Sequence, residues 1–514
     1  MTTPPATQPP RREETIILAP SSGVTAVWVQ VSLAILAALG LRFLFALRYP
    51  GSADDSDLYI QLARTWADHH VYGFPLNGQI IPTDLRTPGY PAFLAGVALL
   101  LGRSMRAILL SQAVLDCVTC ILTAGLASAL APVGWRRRVA IIALWLAATC
   151  PFLANYSAVV LTEVLVTFLA TAALWCFAVG LRDTSAGVGL RDERSRLTPF
   201  AWALLGAFLT GVATLVRPEM PLLFCVAAAV YAVREWKILG LRRVVLFASA
   251  MGGALLLPLL PWAARNWITL REVQFLSPRY VNLPGETAPG GYYSWTSTWL
   301  ERYRDVYYTV WQLGVGPQDV DDLPASAFDS SQEKERVAAL LAQVNDGPDY
   351  EVSPEVDEQF AKIARERTRR HPLRTYVEAP FQRALTIWFT PRTELMDIDG
   401  KFWPLRQQWR DSRANVLITG SFAVLGYAYV ALAIVGVWLV WSAGAGSGSA
   451  GTRAGPNLWG IALLLGYLFV RTAFLTTVEA PEPRYVVSCY PEVLALIALL
   501  GSASWRRRPA CPEV

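Results

Sequence analysis

Apolar residues gather into ten long runs, at 24–47, 105–131, 139–155, 157–180, 200–216, 219–234, 244–263, 414–441, 457–475 and 486–505. A helix needs ~20 residues to cross a ~30 Å hydrocarbon core, and several of the runs reach that length. They predict an all-α, multi-pass membrane protein of about ten transmembrane helices. The run at 24–47 is too long for a signal-peptide core and is expected to stay as the first span. Polar positions between the runs define two long connections, 48–104 and 264–413. The first holds a shorter run, 88–102 (PGYPAFLAGVALLLG), which opens among prolines. It is expected to lie in the headgroup region as an interfacial helix. In the second, turn-rich stretches (PGETAPGG, NDGPDYEVSP) flank an amphipathic helix predicted over 355–370. Residues 1–23, rich in Pro, Thr and charge, read as a disordered tail, and 443–452 as a flexible linker.

The basic residues then give the orientation. Arg11 and Arg12, Arg136–Arg138, the Arg182, Arg191, Arg194 and Arg196 group, the Arg234, Lys237, Arg242 and Arg243 group, and Arg506–Arg508 all fall on one side if the ten runs cross. Counting 88–102 as a crossing would put Arg136–Arg138 on the other. Short basic connections stay cytoplasmic, so both termini are expected there. The resulting organisation is a cytoplasmic tail at 1–23, an N-terminal membrane core at 24–263 with its outer loop at 48–104, an extracytoplasmic region at 264–413, C-terminal membrane helices at 414–505 and a tail at 506–514. The membrane is expected to be the cell's inner (plasma) membrane.

Composition agrees with this picture. Only 17% of the 514 residues are charged, against about a quarter in soluble domains, and the mean hydropathy is +0.34. The net charge of +5 gives no reason to expect a nucleic-acid partner. Cys117 and Cys120 have CxxC spacing inside an apolar run, where small buried residues are a better reading than redox or metal chemistry.

Groups able to do chemistry collect at the outer ends of the runs. Asp54, Asp55 and Asp57 follow the first span. Mutual repulsion and partial desolvation would raise a carboxylate there toward the range of a general base; equally, Asp54 or Asp55 could cap the helix that follows. Arg86 precedes the turn Pro88-Gly89-Tyr90-Pro91. A guanidinium at headgroup depth suits a lipid phosphate, or simply snorkels. Glu163, after Thr162, stands at the edge of hydrocarbon, where a carboxylate is costly unless paired or functional. Arg217-Pro218-Glu219, Arg265-Asn266 and Arg484-Tyr485 complete the set; singly, each Arg could be an ordinary interfacial anchor. His69, His70 and His371 lack metal-site spacing, and a divalent cation at the Asp cluster stays open with no cofactor implied. Asp116, deep in a span, is expected to bond within the bundle, with Thr119 or Thr123.

In this order the residues resemble the GT-C superfamily of polyprenyl-phosphate-dependent glycosyltransferases, especially the bacterial relatives of the protein O-mannosyltransferases and the lipid A aminoarabinose transferase. The matching features are Asp55, Tyr59, Ala63 and Arg64 as D-x-x-x-Y-x-x-x-A-R, Arg86 with PGYP, Thr162-Glu163, Arg217-Pro218, Pro261-Trp262 with Arg265-Asn266, and Arg484-Tyr485. They span roughly the first 270 residues and the last run. The resemblance implies a GT-C-like bundle with interfacial helices in the first outer loop and a large second outer region. It implies Asp55 and Glu163 as the catalytic acids. Substrate contacts would come from Asp54, Asp57, Tyr59, Arg86, Tyr90, Arg217, Arg265, Arg484 and Tyr485. The donor would be a polyprenyl-phosphate sugar and the acceptor a glycan, lipid or protein hydroxyl of the cell envelope, with membrane lipids around the protein. Some relatives carry an acidic metal-contacting residue near the position of Arg86, so metal dependence does not carry over. The alternative is a multi-pass transporter of a lipid-linked or small polar solute, which would place ionisable groups near the midplane and show related halves.

Overall fold

The computed structural model describes residues 22–182, 193–278, 288–393, 395, 396, 398, 400–446 and 455–502. Most of the tail at 1–23, most of the 443–452 linker and the tail at 506–514 lie outside these residues, as do Arg191, Arg506, Arg507 and Arg508. Helices dominate, in the order α1 (Ser22–Arg48), α2 (Asp54–His69), α3 (Gly89–Leu101), α4 (Met105–Leu130), α5 (Arg136–Ala148), α6 (Pro151–Tyr156), α7 (Glu163–Gly180), α8 (Glu193–Thr214), α9 (Pro221–Leu239), α10 (Leu241–Leu256) and α11 (Leu260–Leu270). A second group follows: α12 (Gly290–Thr296), α13 (Tyr303–Val306), α14 (Ser331–Asp346), α15 (Pro354–Arg370), α16 (Ala379–Phe389), α17 (Leu405–Asp411), α18 (Arg413–Gly446), α19 (Leu458–Leu475) and α20 (Tyr490–Ala498).

Among the described residues, seven segments are long and apolar enough to cross a membrane: 25–48, 105–130, 163–180, 241–270, 413–442, 458–475 and 483–502. The fold is therefore an all-α multi-pass membrane bundle, with fewer full-length spans than the ten expected. The shortfall has local causes. The run 139–155 is broken after Ala148 by Pro151, which starts α6. The run 157–180 becomes regular α-helix only at Glu163. The runs 200–216 and 219–234 fall on α8, whose apolar part is Pro199–Thr214, and on α9. The short run at 88–102 is the 13-residue α3, with Leu99, Leu100 and Leu101 exposed at its end.

One element departs from all-α. Gly73–Leu76 and Gln79–Pro82 pair as an antiparallel hairpin, Gly73 opposite Pro82. Asn77 and Gly78 turn it with φ of 51° and 79°, the left-handed pair that an Asn-Gly hairpin turn requires.

The centre of the bundle is α7, with 78% of its residues buried, and the segment 483–502, with 83% buried over its most apolar 18 residues. Between α1 and α4 an ion pair sits in the apolar interior. Arg42 Nε donates to Asp116 at 2.7 Å, while its other nitrogens donate to the carbonyls of Ala147 (3.0 Å) and Ala148 (2.8 Å). Arg42 thus satisfies the open end of α5 where Pro151 interrupts the ladder. Asp116 is paired with Arg42; Thr119 and Thr123 bond to backbone carbonyls instead.

Residues 290–367 build a second core around Tyr292, Trp295, Trp299 and Phe360. The predicted amphipathic helix is α15, capped by the Ser353 hydroxyl. Arg383 on α16 ties this lobe to the bundle, donating to the carbonyls of Ser297 and Leu300 on one side and of Thr476 on the other.

Candidate functional site

Backbone stitches bring the expected residues to one end of the bundle. The helix α2 starts at Asp54 with Ala53 as its cap, so neither Asp54 nor Asp55 caps it. Instead the Ser56 hydroxyl accepts from the Ala53 N–H at 3.0 Å and donates to the Val160 carbonyl at 2.9 Å. The Gly51 N–H reaches the Ala158 carbonyl at 2.9 Å. These contacts hold Asp55 beside the turn that leads into Glu163. On the other side, Tyr72 donates to the Arg86 carbonyl at 2.8 Å and Gly89 N–H to the Leu215 carbonyl at 2.7 Å. The Arg86 loop is thereby laid against the turn that carries Arg217. A Cβ on Gly89 would come within 2.6 Å of that carbonyl oxygen, so only glycine allows the approach.

The charged groups form two quartets, each with two arginines and two carboxylates. In the first, Arg86 Nη2 donates to Asp55 Oδ1 at 2.9 Å and Arg484 Nη2 to Asp55 Oδ2 at 3.4 Å. Arg484 also grips Glu482, with Nε to Oε2 at 2.5 Å. In the second, Arg217 Nη2 donates to Glu163 Oε1 at 2.8 Å and Nε to the Thr162 hydroxyl at 2.9 Å. Glu219 lies between Arg217 (3.6 Å) and Arg471 (3.3 Å). Tyr485 joins the quartets: its ring is faced by Arg217 at 5.3 Å and Arg484 at 5.6 Å, and its hydroxyl donates to Glu482.

Exposure separates roles within this network. The side chains of Asp55 (29%) and Arg86 (26%) are open, while Glu163 (2%) is sealed under Arg217. The first pair is partly open to solvent, and Glu163 is not. The Arg86 guanidinium is only half used, because its Nε has no hydrogen-bond partner among the described residues.

The acidity of Asp55 runs opposite to the expectation. Burial pushes the carboxyl up, but the guanidiniums of Arg484 and Arg86 outweigh it and hold Asp55 below its ordinary value. The reason is that cations flank it. Asp57 is exposed, and the Asp54 side chain lies outside the described residues. Glu482 is shifted the other way, raised chiefly by burial against the pull of Arg484. Burial also pushes the Tyr59 phenol up to about 12.

Two expected substrate contacts are committed elsewhere. Arg265 donates to the carbonyls of Tyr72 (2.6 Å) and Thr83 (2.8 Å), and it faces the Trp262 ring at 5.1 Å; it braces the first loop from behind. Tyr90 is buried and donates to Gln112 at 2.6 Å, with Tyr59 edge-on against its ring. Sequence reasoning missed Glu482, though it stands two positions before Arg484. It also missed Arg471 and Arg42, whose signal was a charge inside an apolar run. Glu492 in the last span was missed too: it is fully buried, with neither carboxylate oxygen hydrogen-bonded among the described residues. Among the described residues no three His, Cys, Asp or Glu side chains cluster as metal ligands.

An apolar cavity of about 510 Å³ opens between α16, α18, α19 and α20, lined by Trp388, Val437, Trp438, Leu468, Val493 and Leu496 among others. Trp388 of its wall and Tyr485 of the charged site pack against the same buried cluster of Ile387, Leu475 and Val486. Fold and site together define a multi-pass membrane protein with a charged, partly open cleft at one end of its bundle.

No family model and no curated protein matches the chain. Among solved structures it is similar to the Archaeoglobus fulgidus oligosaccharyltransferase in complex with zinc and sulfate, with a TM-score of 0.45 and 13% identity over 93% of this chain and 50% of that one. The same enzyme tethered with an acceptor peptide containing the NVT sequon gives 0.45 and 12% over 93% and 49%. ArnT from Cupriavidus metallidurans bound to undecaprenyl phosphate gives 0.39 and 14% over 95% and 79%. The chain spans about half the length of the archaeal enzyme. At these scores no family is assigned, and function is argued from the site's own residues.

Proposed function

We propose that the protein is a membrane glycosyltransferase of GT-C type. It moves a sugar from a polyprenyl-phosphate donor to an extracytoplasmic hydroxyl acceptor with inversion at the anomeric carbon. The observation that carries this reading is the meeting of Asp55, Arg86 and Arg484, three partly open charged side chains from distant parts of the chain. Asp55 takes the acceptor's proton as its oxygen attacks the anomeric carbon. The C–O bond to phosphate breaks on the opposite face, and the electron pair leaves with the phosphate. Phosphate is a good leaving group, so fixed cations can stabilise it without a general acid. The apolar cavity beside the cleft suits an isoprenoid tail. Glu163 then acts as a positioning residue, orienting Arg217.

Asp55→Asn keeps the side-chain shape and removes the base. The variant should insert normally and lose about 10²–10⁴-fold in turnover, the usual worth of general-base assistance. Turnover is followed as loss of a lipid-linked sugar and gain of the glycosylated acceptor. Deleting the gene and profiling envelope glycans by mass spectrometry identifies the sugar and acceptor; near-normal turnover in the Asn variant removes Asp55 from the reaction.

The transporter reading draws on Arg42 and Asp116 within the bundle. That guanidinium, however, is fully engaged by Asp116 and by carbonyls of α5, which gives a solute no contact to make.

A further inference from the structure

The cleft presents a problem of charge. Counted at formal charge, each quartet is neutral: Arg86 and Arg484 balance Asp55 and Glu482, and Arg217 and Arg471 balance Glu163 and Glu219. A phosphate entering this site finds no uncommitted arginine in either quartet. Adding an anion to a partly desolvated neutral cluster is costly unless it takes over a cation that a carboxylate gives up.

The accessible pair decides which carboxylate yields. Asp55 and Arg86 are the most open members of the two quartets. The other three carboxylates are each 13% exposed or less. Arg471, Arg484 and Arg86 each have a buried Nε without a hydrogen-bond partner among the described residues, and of the three Arg86 is the most exposed side chain. Its side edge presents Nε and Nη2 as a two-pronged donor, yet only Nη2 meets Asp55 and Nε is unpartnered. A phosphate accepting from both prongs makes the bidentate contact that Asp55 leaves half made. The second hold on Asp55, from Arg484, is long at 3.4 Å, and that guanidinium is already gripped by Glu482.

We propose that the donor phosphate displaces Asp55 from Arg86 and Arg484, so that donor binding itself unlatches the carboxylate. Before binding, Asp55 is locked between two cations and is a weak base. Once the phosphate occupies those cations, the carboxylate swings free of its partners and becomes more basic, in time to meet the acceptor hydroxyl. The order of binding follows, donor first and acceptor second, and the acceptor is protected from a base that is idle until the sugar is in place. This rests on the glycosyltransferase reading for the identity of the anion, and it adds a competition that the reading does not require.

The test is the affinity of the purified full-length protein, in detergent, for farnesyl phosphate. If Asp55 competes with the phosphate, Asp55→Asn should bind it about tenfold more tightly than the unaltered chain, on the scale of one charge-assisted hydrogen bond. Asp55→Ala should do the same, guarding against a peculiarity of one substitution. Arg86→Gln should weaken binding, and in that background Asp55→Asn should lose most of its strengthening effect, since the contested cation is gone. Unchanged or weaker binding by both Asp55 variants, with binding by the unaltered chain intact, overturns the latch and leaves the glycosyltransferase reading standing. Absence of binding by the unaltered chain overturns both.

Discussion

The side chain on which most depends is Asp55, and its environment sets a pH signature. In the free protein Arg484 and Arg86 overcome the effect of burial and hold it below the ordinary carboxylate value, which is about 3.9. The group is therefore ionised throughout the neutral range, and stability from its ion pairs is present there, being lost only as pH falls through the depressed value. The rate profile should differ between free and loaded enzyme. The acid limb of kcat/KM reports the free protein and should lie below pH ~4. The limb of kcat reports the donor complex and should lie higher, because the arginines have turned to the phosphate. Coincident limbs in steady-state kinetics would mean that Asp55 keeps its partners during turnover. Asp55, Arg86, Glu163, Arg217 and Arg484 were legible in the sequence because each stands where an apolar run meets a turn. Arg471 was not, since it interrupts the apolar run 457–475 without any local mark of what it faces. The acidity of Asp55 was misjudged because the sequence shows its neighbours Asp54 and Asp57, whereas its cations arrive from 31 and 429 positions away.

At the level of elements, the site depends on how loops lie against helix ends. Gly89 meets the Leu215 carbonyl so closely that a methyl group cannot fit against backbone. Gly89→Ala should lift the Arg86 loop off the Arg217 turn, lowering both thermal stability and turnover, with the loss in turnover larger than any from an alanine at Gly96, which faces open space. The pair Arg42–Asp116 makes a second element-scale case. Both side chains are buried, at 0% and 2%. Arg42→Met leaves a carboxylate uncompensated in apolar surroundings, a change that costs about 3–5 kcal/mol. The double change Arg42→Met with Asp116→Leu should recover much of this in detergent melting curves, though not the bonds to Ala147 and Ala148. The sequence displayed each of these charges inside an apolar run but not their pairing across 74 positions. Pro151 in the run 139–155 and the Asn77-Gly78 turn were also on display. Hydrophobic length outweighed the first, and the second was absorbed into a loop that had been assigned helices.

For the whole molecule, the sequence conveyed the class of fold well, because lipid demands apolar length and leaves few alternatives. The lobe at 290–367 was less legible. Its core joins Phe360, on the predicted amphipathic helix, to Tyr292, Trp295 and Trp299, which lie on or just after the short α12 and carry no long periodic signal. Its attachment through Arg383 to both Ser297 and Thr476 joins regions that no local pattern relates. That attachment ties the lobe to the bundle through one buried guanidinium.

The first carboxylate of the site leaves the ribosome 429 positions before the arginine that it shares with Glu482. A nascent chain therefore carries the pair Asp55 and Arg86 long before Arg484 joins it. Only when the segment beginning at Pro483 is inserted does the cleft gain Arg484 and Tyr485. A chain interrupted before Pro483 would hold Asp55 by Arg86 alone of these two arginines.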